Sequence, residues 1–203
     1  MAAKSVYSVH PGVQRTRIWI DTLKEKTGRS LDEWIKFLRK SGPAGQREQK
    51  DWLRQEHGFS MYTAGWLVDR AAGGGDDMDT PEAYLAAAER YVDEMYAGKP
   101  ALRPIYEALL KLGLGLGKDV KACPCQTMVP LYRKNVFAQI KPTTRTRIDL
   151  GFALGARDAT GSLIDTGGFA KKDRITHRIP VSSVAEISDE VKKWLRTAYE
   201  ENQ

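Results

Sequence analysis

The sequence predicts an α+β fold, with a helical N-terminal half followed by an antiparallel sheet packed against helices on one face. Three observations predict it. Up to Leu112, apolar residues recur at helical spacing in a series of capped segments. Between Thr127 and Leu154 the pattern changes to a period of two, as a sheet with one covered face requires. The chain then closes on a segment capped by Ser188, in which Val191, Trp194, Leu195, Ala198 and Tyr199 share one helical face. That helix should lie across the apolar side of the sheet.

Each element can be read in turn. The first ten residues form a loose lead-in. A helix from Pro11 carries Val13, Ile18, Trp19 and Leu23 and stops before Thr27-Gly28. Ser30 and Glu33 make a capping box for a second helix, whose stripe is Leu31, Trp34, Ile35 and Leu38. A third helix spans Gln46 to Glu56 with Trp52 and Leu53 inward, and His57-Gly58 closes it. Ser60 begins a fourth, with Tyr62, Trp66 and Leu67 assigned to the core. Two helices at this spacing suggest a helix-turn-helix. The second, however, offers Met61, Tyr62, Thr63 and Trp66 and carries Asp69, too few donors and cations for reading a DNA groove.

Gly73-Gly74-Gly75-Asp76-Asp77 marks a break. Residues 11–72 are therefore read as a helical domain, 73–79 as a linker and 80–203 as the sheet domain. Thr80-Pro81 starts a helix with the stripe Leu85, Ala88, Tyr91, Val92 and Met95. Another runs from Pro104 to Leu112. Gly113, Gly115 and Gly117 close a helix and lead into a strand, the reverse of a dinucleotide-binding loop, and read as a loosened helix end. In the sheet, Val136, Ala138 and Ile140 face inward against Phe137, Gln139 and Lys141. From Thr144, Thr146, Ile148, Leu150, Phe152 and Leu154 face inward against Arg145, Arg147, Asp149, Gly151 and Ala153. A long polar connection then leads to a strand at Thr176 to Val181.

Composition, at 41% apolar and 29% charged, is that of a soluble globular chain. No apolar run is long enough for a membrane span, and no apolar signal core stands at the N-terminus. Two cysteines, Cys123 and Cys125, make no disulfide framework, so a cytoplasmic location is expected. The net charge of +6 has a location. Residues 1–100 hold 15 basic and 15 acidic residues, whereas 101–203 hold 17 and 11, and 17 − 11 = +6. A field of that sign attracts phosphate-rich partners.

Residues with chemistry to offer are few. Cys123-Pro124-Cys125 supplies two thiols where a structural zinc site needs four ligands. His177 could work as a base only with an orienting partner and a nucleophile in reach. No catalytic set, metal or cofactor is expected. The leading expectation is a non-enzymatic binding module. Its basic sheet face, with Arg133, Lys134, Lys141, Arg145, Arg147, His177 and Arg178, would take up nucleic acid or another phosphorylated polyanion. Arg145 and Arg147, placed on one face of one strand, would grip neighbouring phosphates. The alternatives are an accessory protein docking a protein partner through its Trp-rich helical domain, and an enzyme of unknown class using His177, Cys123 or Cys125.

Several separated motifs also carry a resemblance. KTGRSLDEWIKFLRKSG followed by WLRQEHG resembles a bacterial helical domain, domain of unknown function 4287. LRPIYEALLKLGLGLG, VPLYRKNVFAQIKPTTRTRIDLGFAL, THRIPV and KKWLRTAY resemble domain of unknown function 5655. The resemblance implies a fold and a bacterial, soluble origin. It implies no activity and no catalytic residues. A "predicted transport" label on some relatives would at most mean a soluble accessory role, and the C-terminal layout is similar to small domains described as DNA-binding-like.

Overall fold

Helices α1 (Pro11–Thr27), α2 (Leu31–Ser41), α3 (Gln46–His57) and α4 (Met61–Ala71) lie where the capping and periodicity signals put them. Ser30 accepts from Glu33 N–H while Glu33 reaches back to the Ser30 N–H, so the expected capping box is formed. The computed structural model describes residues 5–202. Within them the chain divides into two compact units, Val9–Ala86 and a second that joins residues 5–8 to 87–202. The division falls inside α5 (Pro81–Ala97), not at the glycines. Residues 73–79 do not hang free, because Gly73 N–H donates to Arg70 O, Gly74 N–H donates to Asp69 O, and Arg70 grips Asp79.

The core of the first unit is Leu23, Trp34, Leu38, Leu53, Ala64, Leu67 and Val68. Two expectations for it are corrected. Tyr62 is 83% exposed, because α4 buries the face carrying Ala64, Leu67 and Val68, and Tyr62 points away from it. Ile18 is exposed because it stands five residues from both Val13 and Leu23, roughly 140° around α1 from each.

The second unit holds the rest of α5, a 3₁₀ turn at Pro100–Leu102, α6 (Arg103–Leu114), the sheet and α7 (Asp189–Glu201). The strands are β1 (Lys121–Ala122), β2 (Val129–Tyr132), β3 (Val136–Lys141), β4 (Ile148–Phe152), β5 (Ile164–Asp165) and β6 (His177–Val181). They form one antiparallel sheet in the order β1-β2-β3-β4-β6-β5. The register aligns Val129, Ile140, Leu150 and Ile179 in one row, and Leu131, Ala138, Phe152 and His177 in the next. All are buried, and α6 and α7 pack on the sheet. Gly113 lies inside α6 rather than loosening its end. A methyl group there would come within 2.5 Å of Leu131 Cδ1, so glycine lets helix and strand approach.

The opposite face carries Gln139, Lys141, Asp149, Gly151, Arg178 and Pro180. Phe137, expected there, is fully buried and meets the ring of Tyr199 at 5.7 Å. A bulge explains the correction. Leu131 pairs with Ala138 but Tyr132 pairs with Val136, so Phe137 is the extra residue and is re-aimed toward α7. The strand expected from Thr144 begins only at Ile148. Thr144 N–H donates to Arg147 O, and Thr144 Oγ1 accepts from Thr146 N–H, which makes a turn and leaves Thr146 exposed.

Both sheet edges are managed. Residues 5–8 are tied down rather than loose: Ser8 N–H donates to Ala122 O, and the hydroxyls of Tyr7 and Tyr106 meet at 2.8 Å. The first four residues of the expected lead-in lie outside the described ones. At the other edge β5 pairs only with His177 and Arg178, and Pro180, which has no N–H to leave unpaired, stands on the uncovered stretch of β6.

Candidate functional site

At the end of β3 the sheet unit opens into a cleft of about 670 Å³. Three segments form it: the C-terminal end of α5 with Glu94 and, just past it, Lys99; the connection at Gln126-Thr127; and the β3–β4 turn from Lys141 to Arg145. Lys99 Nζ donates to Pro142 O at 3.0 Å, which fastens the helix end to the turn and fixes an ammonium group at the wall. Lys141 leaves the open face at its rim, and Arg145 projects from the exposed turn. The lining thus combines Lys99, Lys141 and Arg145 with the hydroxyls of Thr127 and Thr143 and the amide of Gln126, against one carboxylate, Glu94. Cations and neutral donors around an open concavity suit an anion with several oxygens.

Next to this cleft, the open face is more nearly neutral than its arginines suggest. Asp149 pairs in register with Lys141. Its Oδ1 accepts from Arg178 at 3.1 Å, and Arg147 Nε lies 3.0 Å away without the alignment of a hydrogen bond. Arg147 and Arg178 therefore spend much of their charge on a carboxylate that is itself only 13% exposed. The pair Arg145 and Arg147 does not share a strand face: one belongs to the turn and the other to Asp149.

The remaining expected site residues go elsewhere. Lys134 is exposed in the β2–β3 turn, away from the Lys141 end of β3. His177 is turned to the helix side and buried. Its Nδ1 meets Thr176 Oγ1 at 2.9 Å and its Nε2 meets Arg157 O at 2.8 Å, so neither ring nitrogen is left for solvent or substrate. Arg133 is locked to α7. It donates to Asp119 Oδ2 at 2.6 Å, and its guanidinium lies over the Tyr199 ring at 4.4 Å. Cys123 is fully buried, and that burial pushes its thiol up to about 12, while burial also raises Cys125. Among the described residues no three His, Cys, Asp or Glu gather as metal ligands.

The Arg133 hydrogen bond, with a second from the Tyr199 hydroxyl, holds the Asp119 carboxyl below its ordinary range. A depressed carboxylate contributes stability above its unfolded pKa of about 3.9 and loses it as pH falls through the lower folded value. In an NMR titration, the Asp119 midpoint should therefore lie below that of an unperturbed aspartate and move up in Arg133→Ala. An unmoved midpoint would show that the pair does not form.

Sequence reading missed Lys99, Gln126, Thr127 and Thr143 as a group, because nothing local announces that a helix end will meet a strand turn. Family descriptions complete the picture without adding an activity. "Domain of unknown function (DUF4287)" matches residues 16–71, and "Domain of unknown function (DUF5655)" matches residues 92–202. No curated protein and no solved structure matches the chain. Because the second match spans more than half of its length, the chain belongs to the DUF5655 family, with a DUF4287 domain ahead of it.

Proposed function

We propose that the sheet unit is a non-enzymatic binding module for a phosphorylated polyanion, nucleic acid in the first instance. The cleft at Lys99, Lys141 and Arg145 is its anchor. One observation carries this reading: cations from the segment after α5, from β3 and from the following turn converge on a single open concavity lined by hydroxyls and an amide. A surface that served only solubility would have no reason to gather them. Arg147 and Arg178 flank the anchor, tempered by Asp149, and set its reach along the sheet. The bacterial, cytoplasmic setting that the sequence implies belongs to the same reading. No helix among the described residues is long and apolar enough to cross a membrane.

The test is fluorescence anisotropy with a labelled single-stranded oligonucleotide across a salt series, with inorganic polyphosphate as competitor. Wild type should bind at low salt and weaken as salt rises. Lys141→Ala with Arg145→Ala should weaken binding and flatten the log–log salt slope by about 1.4, at roughly 0.7 per phosphate contact. Arg133→Ala, remote from the anchor in this arrangement, should leave the slope unchanged. Binding indifferent to Lys141 and Arg145, or absent at low salt, would remove the reading.

A second reading, a protein partner at the helical unit, is favoured by one specific feature. Met61 and Tyr62 stand side by side at the start of α4, 71% and 83% exposed. A protein captured by wild type and lost with Met61→Lys and Tyr62→Lys would support it.

A further inference from the structure

At the far end of the sheet from the anchor, the connection between β5 and β6 forms a built turn. Lys171 N–H and Asp173 N–H both donate to Gly168 O, and Lys172 N–H donates to Phe169 O. Lys172 adopts φ +59, a left-handed conformation that non-glycine side chains take only at a cost. Arg174 then donates to Val136 O and to Asn202, tying the turn to the start of β3 and to the end of α7. What this bracing holds out is Phe169, 58% exposed, with Lys171 and Lys172 beside it. An aromatic ring kept in water by a hydrogen-bonded turn has no role in the core.

A shallow cleft lies beside the ring. Ala153 and Leu154 give it an apolar floor, Phe169 one wall, and Lys172 and Arg174, with the Asp173 carboxylate between them in sequence, a charged rim. Glu201, also on its lining, is neutralised by Arg157 at 2.5 Å. The turn lies toward the open side of the sheet. A methyl group on Gly151, which is in register with Gln139 and Arg178, would meet Ile175 Cγ2 at 2.7 Å. A methyl group on Gly168 would in turn strike the Ile175 carbonyl. The path from this turn to the anchor is the length of β3, five steps from Val136 to Lys141, or roughly 17 Å at strand rise.

Resting on the polyanion reading above, we propose that the ligand is single-stranded nucleic acid. One unpaired base stacks on Phe169 over the Ala153–Leu154 floor, and the backbone crosses the open face to seat a phosphate at Lys99, Lys141 and Arg145. Flat apolar contact flanked by cations is what a base and its phosphate require, and a paired base cannot supply the free face. Lys172, exposed beside the ring, serves the phosphate next to the stacked base.

The test compares an oligothymidylate of about eight nucleotides, within the usual span of single-strand sites, with inorganic polyphosphate, which has charge but no bases. Phe169→Ala should weaken oligothymidylate binding roughly five- to hundred-fold, leave polyphosphate binding unchanged, and be rescued by Phe169→Trp. Lys141→Ala with Arg145→Ala should weaken both ligands. Circular dichroism should show every variant folded, since these side chains lie at the surface. If Phe169→Ala binds the oligonucleotide as wild type does, base stacking is wrong while polyanion binding stands. If neither probe binds wild type at low salt, both readings fall.

Discussion

Replacing Trp34 with alanine should unfold the helical unit at a far lower temperature than wild type. Trp34 is 2% exposed and sits at the centre of an edge-on array, with Phe59 at 5.0 Å, His57 at 5.1 Å and Phe37 at 5.7 Å. Its Nε1–H donates to Thr27 Oγ1 at 2.7 Å, which joins α2 to the last turn of α1. Three effects therefore add: lost burial, lost ring contacts, and a hydroxyl without its donor. Truncating a buried tryptophan costs about 3–5 kcal/mol, against a total stability of roughly 5–15 kcal/mol for a domain. At about 4–8 °C per kcal/mol for a unit of this size, the first transition in a far-UV melt should drop by at least about 12 °C. Trp34→Phe, which keeps one ring but loses the donor and part of the indole's volume, should cost less than Trp34→Ala. A Trp34→Ala melt within error of wild type would mean that the array does not hold the unit together.

How much of this was legible in the sequence follows from what each residue depends on. Ser30 with Glu33, Thr80-Pro81 and Ser188 act through neighbours three or four positions away, and each starts a helix where expected. Strand alternation likewise set β4 correctly from Ile148 to Phe152. Failures came where one residue of register decides. The bulge at Phe137 turned an aromatic assigned to the open face into core, and the Thr144–Thr146 turn separated Arg145 from Arg147. Candidate site residues fared worse than the fold for a related reason. Whether a cation is available depends on where its counter-charge lies, and Asp119 and Asp149 reach Arg133, Arg147 and Arg178 only once the chain has folded. Lys141 and Arg145 kept their expected place at the surface, but their companion Lys99 comes from the segment just after α5, some forty residues earlier.

Trp194→Ala should do to the sheet unit what Trp34→Ala does to the helices, with a consequence for the long connection after β4. On α7, Val191, Trp194, Leu195 and Ala198 are buried, and the helix packs on β3 and β4. The same helix fastens the long connection after β4 at two points. Glu190 accepts from Ser162 N–H and Ser162 Oγ at 3.0 and 2.8 Å, and Glu201 pairs with Arg157, whose guanidinium also approaches the Trp194 ring to 5.6 Å. Removing the indole takes away both a central contact of the helix and the surface on which Arg157 rests. The cost should again be about 3–5 kcal/mol, and Trp194→Phe should recover most of it. Loosening α7 should also free the connection, because Ser162 N–H donates to Glu190 and Ala153 O accepts from Asn202 Nδ2 only with the helix in place. Hydrogen exchange should then show the amide of Ser162, which donates to Glu190, losing protection at temperatures where β3 and β4 remain protected. Equal protection in Trp194→Ala and wild type, with an unchanged melting curve, would place the indole outside the core and uncouple the helix from the connection between β4 and β5.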